Sequence, residues 1–261
     1  MLNLPTGPAV VQRLSGIKAG PITRLPSGVR EWDNVLNGGI IKGSCTLFGG
    51  APGSGKSTIM LQVATGIAKA TGRPALYSAL EESPESVRRR IDRAAPGGAQ
   101  HILVSSDRDV RQLSQAITDR LSLVVVDSLQ ELEVPWERGT LLKAESATDQ
   151  LCRVAHETEV PIVMIGHVTK GGLVAGSRRL QHMVDGVFLL LSPPARMLRK
   201  LSEDYRQRAR NHRFLQAEKH RDSDTQYVGV FAVSEQGLRG YDGQAEAIWR
   251  HGWADWWKEQ G

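Results

Sequence analysis

The chain has 261 residues, two of them cysteines, with 33 Lys and Arg against 28 Asp and Glu, a formal net charge of +5. That length suits one large domain, or one domain with tails, and buries enough apolar surface to fold without disulfide staples. No apolar run approaches the roughly 18–20 residues that a bilayer span needs, and Met1–Val11 has no basic segment leading into an apolar core. Neither a membrane span nor a secretory leader is expected, and the expected location is the cytoplasm. Cys45 and Cys152 each fall in an apolar stretch with no CxxC pair, so they read as buried free thiols rather than zinc ligands. The basic balance favours a polyanionic partner. It is concentrated between Arg196 and Arg221, where nine basic residues meet only Glu203, Asp204 and Glu218.

Residues 1–22, rich in Pro and Gly, read as an arm. Cys45-Thr46-Leu47-Phe48, an apolar run ending in glycines, predicts a buried strand, and a long helix is expected from Lys56 to about Ala70. Pro74–Ala79 predicts a second strand. Ser83-Pro84 is an N-cap followed by proline at the first helical position, opening a helix to about Ala94. His101–Val104 predicts a third strand, and the spacing of Val110, Leu113, Ile117 and Leu121 predicts a helix. Leu123–Val126 is wholly apolar, as a central parallel strand should be. A helix near Ala144–Glu157 leads to a strand at Val160–Ile165. Gly186–Leu191, Arg213–Ala217, Tyr227–Ala232 and Leu238–Tyr241 read as strands joined by short turns. The whole predicts an α/β domain over residues 23–242: a mostly parallel twisted sheet flanked by helices, with antiparallel strands at one edge. Ser192–Asn211, which opens Ser-Pro-Pro and becomes highly charged, is a helical excursion or a loop. In residues 243–261, Trp249, Trp253, Trp256 and Trp257 fall on one stripe of a helix. That stripe is expected to bury itself against the chain's own core or an adjacent subunit; a protein docking helix and a base-stacking platform are the alternatives.

Gly50-Ala51-Pro52-Gly53-Ser54-Gly55-Lys56-Ser57 fits G-x-x-x-x-G-K-[ST] in full, between an apolar strand and a helical pattern. The glycines let the backbone curl so that several N–H groups face phosphate oxygens, and the helix start adds its positive dipole end. ATP is therefore the expected ligand, held by Gly50, Pro52, Gly53, Ser54, Gly55, Lys56, Ser57 and Thr58. Lys56 is expected to reach the β- and γ-phosphates and Ser57 to ligate Mg²⁺. Asp127, ending the Leu123–Val126 strand, is the second candidate for the metal. Glu81 and Glu82 follow the second strand, where a carboxylate can orient and deprotonate the attacking water; Glu81 is favoured. His167 and Thr169 follow the fifth strand, at the strand ends where ligands bind in such sheets, and suit sensing of the γ-phosphate.

With these motifs in order, the sequence resembles the bacterial RadA (Sms) family of RecA-like recombination ATPases. Arg24-Leu25-Pro26-Ser27-Gly28-Val29, Leu36-Asn37-Gly38-Gly39, Leu80-Glu81-Glu82-Ser83 and Asp127-Ser128-Leu129-Gln130 carry the likeness. So do Gly166-His167-Val168-Thr169-Lys170, Ala175-Gly176 and Leu180-Gln181-His182-Met183-Val184-Asp185. The resemblance covers roughly residues 22–242. It implies a RecA-like phosphate-loop core, a ring, expected to be a hexamer, with ATP between subunits, and DNA bound in a central channel. The Lys170–Gly176 loop would correspond to a DNA-contacting loop, with Lys170, Arg178 and Arg179 meeting phosphates. The family's four-cysteine zinc module and Lon-protease-like domain have no counterpart in this sequence. Its signature Lys-Asn-Arg-Phe-Gly falls at Lys219-His220-Arg221-Asp222-Ser223. Lys219 and Arg221 survive there, and the resemblance gives them the γ-phosphate of a neighbouring subunit.

The leading expectation is an ATP-driven, DNA-stimulated motor acting in recombination or repair on single-stranded or branched DNA, with a recombination or replication protein as a further partner. The alternative is a KaiC-like regulatory ATPase, or an ATP-switched loader, that works through protein partners.

Overall fold

The computed structural model describes residues 13–16, 20–167, 178–193, 198, 199, 203, 207, 209–221 and 227–240. Most of the N-terminal arm, Thr169, Lys170, Asp222 and Ser223, most of the 192–208 stretch and the tryptophan tail lie outside the described residues. In chain order the strands are β1 (Arg24–Leu25), β2 (Ile40–Ile41), β3 (Cys45–Gly50), β4 (Ala75–Ala79), β5 (Ile102–Ser105), β6 (Leu123–Asp127), β7 (Ile162–His167), β8 (Gly186–Leu191), β9 (His212–His220), β10 (Gly229–Ser234) and β11 (Gly237–Gly240). The α-helices are α1 (Arg30–Val35), α2 (Lys56–Thr71), α3 (Pro84–Ala94), α4 (Val110–Ala116), α5 (Thr140–Thr158) and α6 (Arg178–Met183).

One sheet of the described residues runs β11-β10-β9-β8-β3-β7-β6-β4-β5. Strands β8 to β5 in that order are parallel, and β9, β10 and β11 extend it antiparallel. Period-two alternation sends neighbouring residues of each central strand to opposite faces. Phe48, Tyr77, Val125, Ile165 and Phe188 face α1, α2 and α3. Leu47, Leu76, Val126, Met164 and Val187 face α4, α5 and α6. With both faces covered, these strands are apolar almost throughout, which is why the parallel core was legible from sequence. Trp32 of α1 anchors the first face, edge-on to Phe48 at 5.2 Å between ring centroids, a geometry worth about 0.5–1.5 kcal/mol beyond the area buried.

β1 and β2 form a separate antiparallel pair that leads the chain onto the sheet. The turn after β1 is fixed by Asp33, whose carboxylate accepts from Ser27 N (2.8 Å), Ser27 Oγ (2.7 Å) and Gly28 N (2.9 Å).

The helix expected through Leu121 stops at Ala116. Ser114 Oγ donates back to Val110 O at 2.6 Å, the β-branched Ile117 and Thr118 follow, and such features weaken a helix end. Ile117 and Leu121 are nevertheless buried in the second cluster, reached through a turn. α1 and α6, six residues each, are too short for a period to reveal. β5 is a sheet edge, so its Leu103 is 51% exposed despite the apolar run. No helix among the described residues is long and apolar enough to cross a membrane.

Candidate nucleotide site

β3 ends at Gly50 and α2 begins at Lys56. The N-cap between them, Gly55, has φ 103°, a conformation that only glycine adopts without strain. A Cβ on Gly50 would lie 2.7 Å from Leu190 O and 2.9 Å from Ser54 Oγ. The loop therefore closes against the end of β8. Lys56, only 6% exposed, folds back over the loop and donates from Nζ to Gly50 O (2.8 Å) and Ala51 O (3.0 Å). Burial lowers its proton affinity, opposed by the charges of Asp127 and Glu81. Both acids therefore act on the same ammonium.

Asp127 closes β6 beside that ammonium. It accepts a buried hydrogen bond from Tyr77 Oη at 2.5 Å; burial first, then Asp127, pushes the Tyr77 phenol well above its ordinary range. The Asp127–Ser128 peptide is cis, and Ser128 Oγ donates to Glu81 Oε1. Glu82 has different partners: Arg90 grips both its oxygens, with Nη2 to Oε2 at 2.8 Å, and Ser86 Oγ donates to it at 2.8 Å. Glu81 thus shares the site with Lys56 and Asp127, whereas Glu82 fastens the start of α3, capped at Ser83.

His167 ends β7 in backbone register with Gly50, at the start of the phosphate loop. Arg178 and Arg179 open α6. Arg179 Nη1 lies 3.4 Å from Glu145 Oε2 and stays largely exposed.

Lys219 and Arg221 sit at the other end of the sheet. Gly50 pairs with Leu190, whereas His220 pairs with Gly186, four residues back along β8, roughly 13 Å at about 3.3 Å per residue. Lys219 Nζ donates to the carbonyls of Gln181 (2.8 Å), His182 (3.3 Å) and Val184 (2.7 Å), where α6 ends. Arg221 Nη1 pairs with Asp185 Oδ1 at 2.9 Å, and Asp185 also accepts from Cys45 N. Neither basic residue is gathered with this chain's own phosphate loop.

The residues fit a magnesium nucleotide. Loop N–H groups at a helix start, a buried ammonium, the Ser57 hydroxyl and the Asp127 carboxylate make a phosphate and hard-cation donor set. The buried Ser54 Oγ has no hydrogen-bond partner. Groups of three or more His, Cys, Asp or Glu that could hold a metal are absent among the described residues.

Sequence reasoning missed three contributors: Tyr77, Arg213 and Leu238. Arg213 Nε donates to Ser54 O at 3.1 Å, and Leu238 packs where a Cβ on Gly55 would stand, 2.7 Å from its Cδ1. Tyr77 looked like any core aromatic, Arg213 was one of nine basic residues, and Leu238 belonged to a plain strand pattern.

The fold is a RecA-like phosphate-loop architecture. A family model described as "AAA domain" matches residues 15–172, and the chain belongs to that family. It is 37% identical over 236 residues to the DNA repair protein RadA of Haemophilus influenzae, covering 88% of this chain and 48% of the relative. It is 34% identical over 232 residues to the DNA repair protein RadA of Bacillus subtilis, covering 86% and 46%. The chain thus spans about half the length of the curated relatives it matches, the part that holds their ATPase core. Among solved structures, a KaiC-like protein from Pyrococcus horikoshii superposes with TM-score 0.67 at 20% identity, covering 85% of this chain and all of that one. The RadB recombinase gives 0.61 at 20% identity, covering 84% and 100%. At such identities the likeness is one of fold.

Proposed function

We propose that this chain is a Mg²⁺-dependent ATP hydrolase that acts on DNA as a motor in recombination or repair, assembled as a ring of copies. One observation carries the reading. Lys56 folds back onto the carbonyls of Gly50 and Ala51 inside the phosphate loop, while at the carboxyl edge of the same sheet Tyr77 holds Asp127 and the next residue, Ser128, donates to Glu81.

In this reading the loop N–H groups and Lys56 bind the β- and γ-phosphates, Lys56 exchanging its two loop carbonyls for phosphate oxygens. Ser57 and Asp127 hold Mg²⁺, which when bound neutralises charge on the phosphate oxygens. Tyr77 keeps Asp127 aimed. Glu81, oriented by Ser128, takes the proton of the attacking water. His167 with Thr169 senses the γ-phosphate, and Lys170, Arg178 and Arg179 meet DNA phosphates. Lys219 and Arg221 serve the nucleotide of a neighbouring copy, since they lie across the sheet from their own loop. The names of the curated relatives, DNA repair proteins, support DNA as the partner.

The test is ATP turnover with and without single-stranded and branched DNA, at low and moderate salt, beside Lys56→Ala. Stimulation that disappears in the variant is expected, and it should weaken as salt rises. Turnover indifferent to every DNA tried would sink the motor and leave a switch that works through protein partners.

A further inference from the structure

We infer that Arg213 is a positioning residue for the phosphate loop, acting through the Ser54 carbonyl to aim the Gly55 N–H at bound phosphate. The inference rests on the loop binding nucleotide.

Arg213 is the second residue of β9, the first antiparallel strand beside the parallel sheet. Its Nε donates to Ser54 O at 3.1 Å, and its Nη1 donates to His212 O (2.7 Å) and Arg210 O (3.1 Å). No carboxylate among the described residues pairs with it. A guanidinium drawn partly out of water without an anion is costly, and here carbonyl groups alone compensate. Burial accordingly lowers its proton affinity, with no charged neighbour contributing. This is a fixed strut rather than a surface cation in solvent.

The Ser54–Gly55 peptide explains what the strut does. A trans peptide is planar, so its C=O and N–H point in opposite directions. Holding Ser54 O outward fixes the Gly55 N–H inward. Gly55, at φ 103° and without a side chain, has little of its own to resist rotation of that plane. Leu238 of β11 closes the same peptide from outside, and Gln62 clasps Leu238 by accepting from its N–H and donating to its carbonyl, both at 3.1 Å. The antiparallel ribbon thus grips the outer side of the phosphate loop at two adjacent residues. Because the loop N–H groups cradle the inner phosphates, a loosened peptide should weaken ADP and ATP alike.

The experiment titrates ADP and ATP with Mg²⁺ by calorimetry, using the whole chain with Arg213, Arg213→Ala and Arg213→Lys, alongside steady-state turnover and Tm. Arg213→Ala should lose about tenfold in affinity for both nucleotides, equivalent to about 1.4 kcal/mol. KM should rise to match, with kcat within about twofold and Tm nearly unchanged; Arg213→Lys, which can still reach one carbonyl, should recover part of the loss. Unchanged affinity overturns the inference. So does a loss confined to ATP, which would make Arg213 a direct γ-phosphate contact, or a loss that follows a falling Tm and is not rescued by lysine. If Arg213→Ala does not fold, Arg213→Gln and Arg213→Lys are judged by the same criteria. Lys56→Ala separates the two claims: nucleotide binding that survives it refutes the site, whatever Arg213 does.

Discussion

Gly66, in the middle of α2, should be intolerant of the smallest possible addition. An alanine Cβ there would lie 1.7 Å from Ser27 O and 2.8 Å from the Ser27 carbonyl carbon. Reaching even 3.0 Å from the oxygen requires a movement of about 1.3 Å, and both sides of the contact resist it. The Ser27–Gly28 turn is pinned to Asp33 by three hydrogen bonds, and α2 is buried along much of its length. Helix propensity alone favours Ala over Gly by about 1 kcal/mol. Overpacking typically costs 1–3 kcal/mol, and each strained hydrogen bond to Asp33 adds about 1 kcal/mol. The steric side should win, for a net loss of about 2 kcal/mol, or roughly 4–8 °C in Tm for a domain of this size. The assay is thermal and urea unfolding of Gly66→Ala, repeated in an Asp33→Ala background. There the turn can yield, so the added cost should shrink, a coupling that independent sites would not show. An equal or higher Tm for Gly66→Ala would refute the reasoning.

Glu81→Gln should keep ATP binding and lower kcat by about 10²–10⁴-fold, while Glu82→Gln, which strips Arg90 of its partner, should lower Tm and leave kcat within a few-fold; the reverse pattern in single-turnover assays would exchange their roles. Tyr77→Phe removes the donor to a buried carboxylate and should cost about 1.5–3 kcal/mol, so an unchanged urea midpoint would count against the Tyr77–Asp127 bond. Lys56→Met should abolish nucleotide binding yet raise the Tm of the nucleotide-free protein at neutral pH. Folding lowers the proton affinity of Lys56, so the unfolded chain holds that proton more tightly, and wild type regains stability as pH rises through the depressed value. The variant's advantage should therefore narrow as pH rises toward about 10, the ordinary value of an unfolded lysine; a margin that is absent or widens with pH would be the wrong sign.

The sequence was most readable where burial is two-sided. Leu123–Val126 and Cys45–Phe48 are apolar because helices cover both faces of their strands, and the phosphate loop was visible because its chemistry demands glycines at fixed offsets. The elements that tune the site were less readable because each owes its role to a long-range contact. Tyr77 meets Asp127 fifty positions away, and Arg213 meets Ser54 across 159. Glu81 and Glu82, adjacent and chemically alike, differ only because Arg90 and Ser86, one or two turns into α3, claim the second. The short α1 and α6 carry too few residues for any period to show.

β9 ties the two ends of the sheet together. Its Arg213 touches the chain's own phosphate loop, and Lys219, six residues on, sits at the opposite edge with Arg221 just beyond the strand. If Lys219 and Arg221 complete a nucleotide site, that site belongs to the next copy in a head-to-tail assembly. Chains carrying Lys56→Ala and chains carrying Lys219→Ala with Arg221→Ala should each be inactive alone. Mixed in equal amounts and allowed to exchange, about one interface in four would join an intact loop to intact basic residues, assuming random heterologous assembly. Turnover should therefore return to about a quarter of the wild-type rate. If the basic pair acted on its own loop, no mixed interface could be whole, and mixing would restore nothing.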